Sequence, residues 1–286
     1  FFLVVYMAAK ALSLRCVGFC GVDDSVEPLL LRAVSLAHPW VEWGVLFRPE
    51  LAGTPRYASE GWLAALAEAN TAAADGSGRP MRLAGHLCAS RVDELLRGDA
   101  TFVSAVAKQV GFGRFQINAT AANGVDVGAF ATPEGADACT AAIATVCAAC
   151  PHLEFILQCN VQTRPLWERI WGRAGAARCS GTLSEAPPNL SLLYDDSMGL
   201  GVSCTAWQPP REGVQCGYAG GLSPSNLKSQ LTAIGQVADG RPLWVDMESS
   251  LRCKTGDGRD VFDANRAVAC VRVVGELLGA GVRAAA

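Results

Sequence analysis

The stretch Val214-Gln215-Cys216-Gly217-Tyr218-Ala219-Gly220-Gly221-Leu222-Ser223-Pro224 holds a short apolar run, a glycine turn and a helix start, and a second apolar run, Pro242 to Met247, follows it. Strand, turn, helix, strand is the βαβ unit, which pairs its strands in parallel. Working outward, the same unit recurs. Apolar runs cover Leu12 to Cys20, Val41 to Phe47, Met81 to Cys88, Arg114 to Asn118, Leu153 to Cys159 and Leu190 to Tyr194. Helical patterns separate most of them. They run over Ser25 to Ala37, Ser59 to Ala69, Arg91 to Leu96, Phe102 to Val110 and Pro165 to Arg173, with Asp263 to Leu278 after the last strand. A long Ala-rich helix opens with Thr132 as N-cap and Pro133 in its first turn. Eight units in a chain of 286 residues predict a single α/β domain over residues 1–286, a (β/α)8 TIM barrel with enlarged loops near 70–80 and 119–150. An open doubly wound sheet is the competing arrangement. Its dinucleotide-binding form is disfavoured, because no Gly-x-Gly-x-x-Gly follows the first run.

Composition narrows the function. Half of the residues are apolar and 18% are charged, against a usual charged share of ~25%. A chain this rich in core residues is not a solvated linker. The net charge of −3 carries no basic footprint for nucleic acid. The apolar opening, Phe1 to Ala9, stops at Lys10, far short of the ~20 residues a bilayer needs, and reads poorly as a signal peptide. Met7-Ala8-Ala9 reads as a natural start, which would make Phe1 to Tyr6 extraneous. The twelve cysteines are scattered, and only Cys147 and Cys150 form a Cys-x-x-Cys pair. Without a second pair this is no structural zinc motif. Buried, reduced thiols fit best, which favours a cytoplasmic setting.

In a barrel the active face lies at the carboxyl ends of the strands. Those ends here carry Cys20, Arg48 with Arg56 in the following loop, His86, Gln116 and Asn118, Gln158 and Asn160, Asp195 and Asp196, Gly220 and Gly221, and Asp246 with Glu248. Asp246 and Glu248 alternate on one strand and so point to one side. As a pair they could hold a divalent metal, but further ligands are not evident in the sequence, and no metal or cofactor is expected. The Gly220-Gly221 turn brings backbone N–H groups and a helix start to one place, a favourable setting for an anion. Ser249 and Ser250 follow the eighth strand, the usual partner position of a barrel phosphate site.

Four pieces of the chain resemble the phosphoribosylanthranilate isomerase family of ribulose-phosphate-binding barrels. They are Cys20-Gly21-Val22, Arg48-Pro49 with Pro55-Arg56-Tyr57, Leu193-Tyr194-Asp195 with Gly199-Leu200-Gly201, and Tyr218 to Asn226 with Val245 to Ser250. The resemblance implies an aldose–ketose Amadori rearrangement of an N-phosphoribosyl aromatic amine. It assigns Cys20 as general base and Asp195 as general acid. Arg56 and Gln116 would bind substrate, and Gly220, Gly221, Ser249 and Ser250 would bind phosphate. The partner so implied is a phosphorylated small molecule, with neither nucleic acid nor membrane, for a monomer or homodimer. Departures point to an alternative. Gly18 stands where the family has lysine, Asn118 where it has histidine, and Leu251-Arg252-Cys253 where it has Gly-Val/Ile-Glu. A diverged barrel could bind a different phosphorylated ligand, without catalysis or through Asp195, Asp246 and Glu248.

Overall fold

All eight apolar runs are strands in the computed structural model, which describes residues 12–71, 79–172, 185–202 and 206–279 and a short strand at 283–284. The strands are β1 (Ser13–Cys20), β2 (Val41–Phe47), β3 (Arg82–Leu87), β4 (Arg114–Ile117), β5 (Glu154–Cys159), β6 (Leu190–Tyr194), β7 (Cys216–Tyr218) and β8 (Pro242–Met247). Each pairs in parallel with the next, and β1 pairs with β8, so the sheet closes into an eight-stranded (β/α)8 TIM barrel. Arg283–Ala284 adds a parallel stub beside the start of β1. Phe1 to Tyr6, Met7, Cys179 and Cys204 lie outside the described residues.

Strand alternation sorts the core into two layers. Val17, Phe19, Trp43, Val45, Phe115, Phe155 and Val245 belong to the large layer under the helices. Cys16, Ile156, Leu193, Ala219 and Trp244 form a small cluster on the opposite, barrel-lining faces. Each large side chain so buried contributes about 1.5–3 kcal/mol. The small layer needs glycine. A Cβ on Gly217 would overlap the Trp244 indole, so only glycine lets that ring cross the barrel.

The amino end of the barrel is closed by ions. Arg114 is buried against Glu42 at 3.0 Å and Glu154 at 3.3 Å, and its guanidinium lies 4.3 Å over the Trp244 ring. Arg15 joins Glu154 at 3.0 Å. Two cations thus face two carboxylates.

The helices are α1 (Pro28–Ala37), α2 (Glu60–Asn70), α3 (Ser90–Leu95), α4 (Thr101–Val110), α5 (Pro133–Ala149), α6 (Arg164–Trp171), α7 (Leu227–Ala238) and α8 (Ala264–Gly279). Thr132 caps α5 as expected, its hydroxyl accepting from Gly135 N. The helix after β7 begins at Leu227, three residues later than Pro224 suggested. Asn226 explains the delay: its Oδ1 accepts from Ser223 N and its Nδ2 donates to Gly221 O, holding 221–226 as a turn. Between β6 and β7 no helix occurs among the described residues. Tyr194 and Tyr218 stack there at 5.3 Å, and Trp207 stands edge-on to Tyr218 at 5.6 Å while donating to Gln230 of α7. After β8 the chain forms a hairpin of β9 (Arg252–Lys254) and β10 (Asp260–Phe262). Arg252 pins it to the first strand-to-helix loop, pairing with Asp23 at 2.9 Å and donating to Gly21 O. Among the described residues, no helix is long and apolar enough to cross a membrane.

Candidate functional site

The parallel strands all end at one rim, and there a cavity of about 290 Å³ opens. It gathers residues from β3 to β8 and the loops after them. Six of the eight predicted site residues line it: Gln116, Asp195, Gly220, Gly221, Ser249 and Ser250. His86, Gln158, Asp246 and Glu248 line it as well.

Asp195 sits just beyond β6, where Tyr194 turns outward to its stack on Tyr218. Strand alternation then aims Asp195 inward, and its neighbour Asp196 lines a different cavity. The carboxylate accepts from Ser197 Oγ at 2.5 Å, Gly199 N at 3.1 Å and Gln158 Nε2 at 3.1 Å. Burial nevertheless pushes its pKa up, the hydrogen bonds only partly offsetting it. Oδ1 lies 3.8 Å from where a Cβ on Gly220 would stand. The acid therefore sits directly against the glycine turn.

That turn needs its glycines, since Gly220 has φ +118° and Gly221 φ +62°. It is tied to the loop after β8 by Ser250 Oγ, which donates to Leu222 O at 2.6 Å. Ser249 is exposed on the same rim. Gln116 is buried and donates to Asn118 Oδ1 at 2.7 Å. Gln158 is buried too, and its Oε1 has no hydrogen-bond partner among the described residues.

Cys20 and Arg56 stand apart from the cavity lining. Cys20 is buried and its Sγ meets His86 Nδ1 at 3.2 Å. Burial, then Glu248 and Asp246, push the thiol's pKa well up. Burial and Arg114 push the His86 imidazole down to about 3. Both groups are therefore neutral at pH 7. The charges that act most on Cys20 are those of Glu248 and Asp246, the reverse of what a thiolate base requires. Arg56 Nη1 pairs with Glu248 at 3.0 Å and its Nε with Asp260 at 2.9 Å. Its fork is taken up by carboxylates of this chain.

Asp246 and Glu248 line the same cavity from β8 and its end, one strand beyond β7. Both have raised pKa values, in each case mainly from burial. Glu42 and Glu248 add to the effect at Asp246, while Arg56 and Arg252 temper it at Glu248. The sequence reading gave neither Ser197 nor Gly18 a part in the site. Ser197 orients Asp195 and lies two residues beyond it. A Cβ on Gly18 would overlap the Asp246 carboxylate, and a glycine inside a strand pattern is the usual signal of such close approach.

No protein-family model matches the chain, and no curated protein sequence does either. Among solved structures the chain is similar to a Rubisco-like protein from Rhodopseudomonas palustris, at 13% identity and TM-score 0.44. The match covers 97% of this chain and 66% of that one. It is also similar to a GH18 chitinase from Pseudoalteromonas aurantia, at 11% identity and TM-score 0.43, over 92% of this chain and 100% of that one. Endonuclease IV from Thermus thermophilus matches at 9% identity and TM-score 0.37, over 93% and 100%. At these identities no residue role carries over from any of them, and the chain's own barrel geometry is what places its site.

Proposed function

We propose that the carboxyl-end cavity binds a phosphorylated sugar-like molecule and isomerises it by acid–base chemistry, an aldose–ketose rearrangement of the phosphoribosylanthranilate isomerase type. The carrying observation is that one cavity gathers three carboxylates and a glycine turn. Asp195 lies against the Gly220-Gly221 turn, Ser249 and Ser250 border that turn, and Asp246 and Glu248, from the neighbouring strand β8 and its end, line the same cavity. Phosphate at the turn would set the sugar between an acid and a base.

Asp195 is the acid. Burial raises its pKa, the direction that favours proton donation to the ring oxygen, which opening a ribose ring requires. The resemblance gives the base role to Cys20. In this barrel Cys20 stands apart from the cavity lining whereas Glu248 lines it, and the raised pKa of Glu248 brings it nearer the operating pH of a base. Gln116 would hydrogen-bond the sugar. Phosphate would take the N–H groups of the glycine turn and the Ser249 hydroxyl.

The test follows the loss of N-(5′-phosphoribosyl)anthranilate fluorescence. Wild-type turnover that falls about 10²–10⁴-fold in Asp195→Asn and in Glu248→Gln supports the reading. Full activity in either variant removes that residue from the mechanism, and no wild-type turnover removes the anthranilate substrate.

A second reading is favoured by Arg56. Because Glu248 and Asp260 occupy its guanidinium, the arginine expected to take the aromatic carboxylate is not free to do so. A different phosphorylated sugar would then be the ligand, with Asp195 and Glu248 unchanged in role. Retained affinity for inorganic phosphate without anthranilate turnover is the result that selects it.

A further inference from the structure

The geometry points to a divalent metal site, of the zinc class, formed by Cys20, His86 and Asp246 at the carboxyl end of the barrel. One donor atom from each residue lies within 4.8 Å of the other two. The three come from β1, β3 and β8, strands that the closed barrel brings around one point. The site is separate from the acid–base pair proposed above and does not depend on what the cavity binds.

Two further observations carry it. First, Asp246 is only 9% exposed, yet among the described residues its carboxylate receives no hydrogen bond and no ion pair. The residue lines the cavity, and a cation bound there would be the partner its carboxylate lacks. Second, the space is kept open by glycines. A Cβ on Gly18 would overlap the Asp246 carboxylate. A Cβ on Gly44 would stand 2.8 Å from His86 Nε2 and 2.9 Å from Cys20 Cα. Any side chain at either position would displace a donor.

The donor set selects the metal class. A thiolate, an imidazole and a carboxylate suit zinc or cobalt and are wrong for magnesium or calcium, which take oxygen donors. Three protein ligands leave a fourth tetrahedral position, the pattern of a catalytic rather than a structural zinc. His86 and Asp246 line the cavity, so that position borders the space where the ligand would lie. On binding, Cys20 loses its proton to solvent and its charge, with that of Asp246, is balanced by the ion. The sulfur–imidazole contact at 3.2 Å is the ion-free arrangement of the same two ligands.

The experiment uses the full chain, stripped with chelator and titrated with Zn²⁺ and with Co²⁺ alone. About one equivalent of either metal should bind, and Co²⁺ should give a sulfur-to-cobalt charge-transfer band. His86→Ala and Asp246→Asn should weaken binding by at least about tenfold. Cys20→Ser should abolish the band. Cys147→Ser with Cys150→Ser, at the only Cys-x-x-Cys pair, should change neither. Each variant is compared with wild type by circular dichroism and melting in chelator, so that loss of fold is separated from loss of metal. If a variant does not fold, Gly44→Ser, which crowds His86 and Cys20 but removes no donor, takes its place and should also weaken binding. Absence of stoichiometric binding to the folded wild type overturns the site. So does binding that survives His86→Ala, or a band that survives Cys20→Ser. These readouts need no substrate, so metal binding without isomerase turnover leaves the site standing and removes only the isomerase reading.

Discussion

The two ends of the barrel interior treat charge in opposite ways. At the amino end, Arg114 and Arg15 meet Glu42 and Glu154, and the arginines outweigh burial, holding the Glu154 carboxyl below its usual range. At the carboxyl end, Asp195, Asp246 and Glu248 line one cavity, and among the described residues only Glu248 of the three has an ion pair, with Arg56. Burial raises the pKa of all three. A set of groups that folding disfavours persists where function requires it, and matched charges are what a purely structural plug looks like. The amino end reads as stability and the carboxyl end as chemistry.

Breaking the amino end should produce the largest loss of stability. Arg114→Met removes the cation between two buried carboxylates and leaves Glu42 without one. Urea denaturation should show a loss of about 3–5 kcal/mol. An unchanged midpoint would mean that the network does not stabilise the barrel. The matching change at the carboxyl end, Asp195→Asn, should move stability by about 1 kcal/mol or less. One hydrogen bond is lost, but so is a charge that burial disfavours. A loss near that of Arg114→Met would erase the distinction between the two ends.

The sign of the pH dependence sharpens the comparison. Asp246 has a native pKa raised above its unfolded value of ~3.9, so the native state binds more protons than the unfolded state between those two values. Its contribution to stability is therefore greatest at low pH and is lost as pH rises through that window. Glu154 has a depressed native pKa, so its contribution is present above the unfolded value and is lost as pH falls through the native one. Asp246→Asn should flatten the decline of stability on the rising side, and Glu154→Gln should flatten the decline on the acid side. Melting temperature against pH for both variants and wild type measures this. Metal-free protein is the proper material, because a bound ion would depress the pKa of Asp246 and reverse its sign.

Much of this architecture was legible because parallel strands buried on both faces read as continuous apolar runs. Val41 to Phe47, Leu190 to Tyr194 and Pro242 to Met247 match their strands residue for residue. Helix starts were less legible where a side chain bound the backbone instead of capping, as Asn226 does before α7. Asp195 and Asp196 are adjacent acids, and nothing local says which faces inward. The Tyr194–Tyr218 stack decides it, and that is a contact between strands. The meeting of Cys20, His86 and Asp246 was hidden for the same reason. The residues lie far apart in the chain, and barrel closure through the β1–β8 pairing is what brings them together. Of the glycines that make room for them, Gly18 stood out only as a departure from the family's lysine, and Gly44 carried no signal.

The finest distinction lies within one dipeptide. Ser249 and Ser250 were read together as phosphate ligands, but their surroundings differ. Ser250 uses its hydroxyl proton on Leu222 O, joining the loop after β8 to the glycine turn after β7. The exposed Ser249 hydroxyl makes no hydrogen bond among the described residues and is free to serve a ligand. Ser250→Ala should therefore cost about 1 kcal/mol of stability, the net value of one hydrogen bond. Any weakening of phosphate binding should be a secondary effect of a looser turn. Ser249→Ala should leave the melting temperature unchanged and weaken inorganic phosphate binding by about 1 kcal/mol, roughly fivefold. Calorimetric titration with phosphate, beside thermal melts of both variants, separates the two. If both variants lose affinity equally and neither loses stability, the bond to Leu222 is incidental, and both hydroxyls contact the anion as the sequence first suggested.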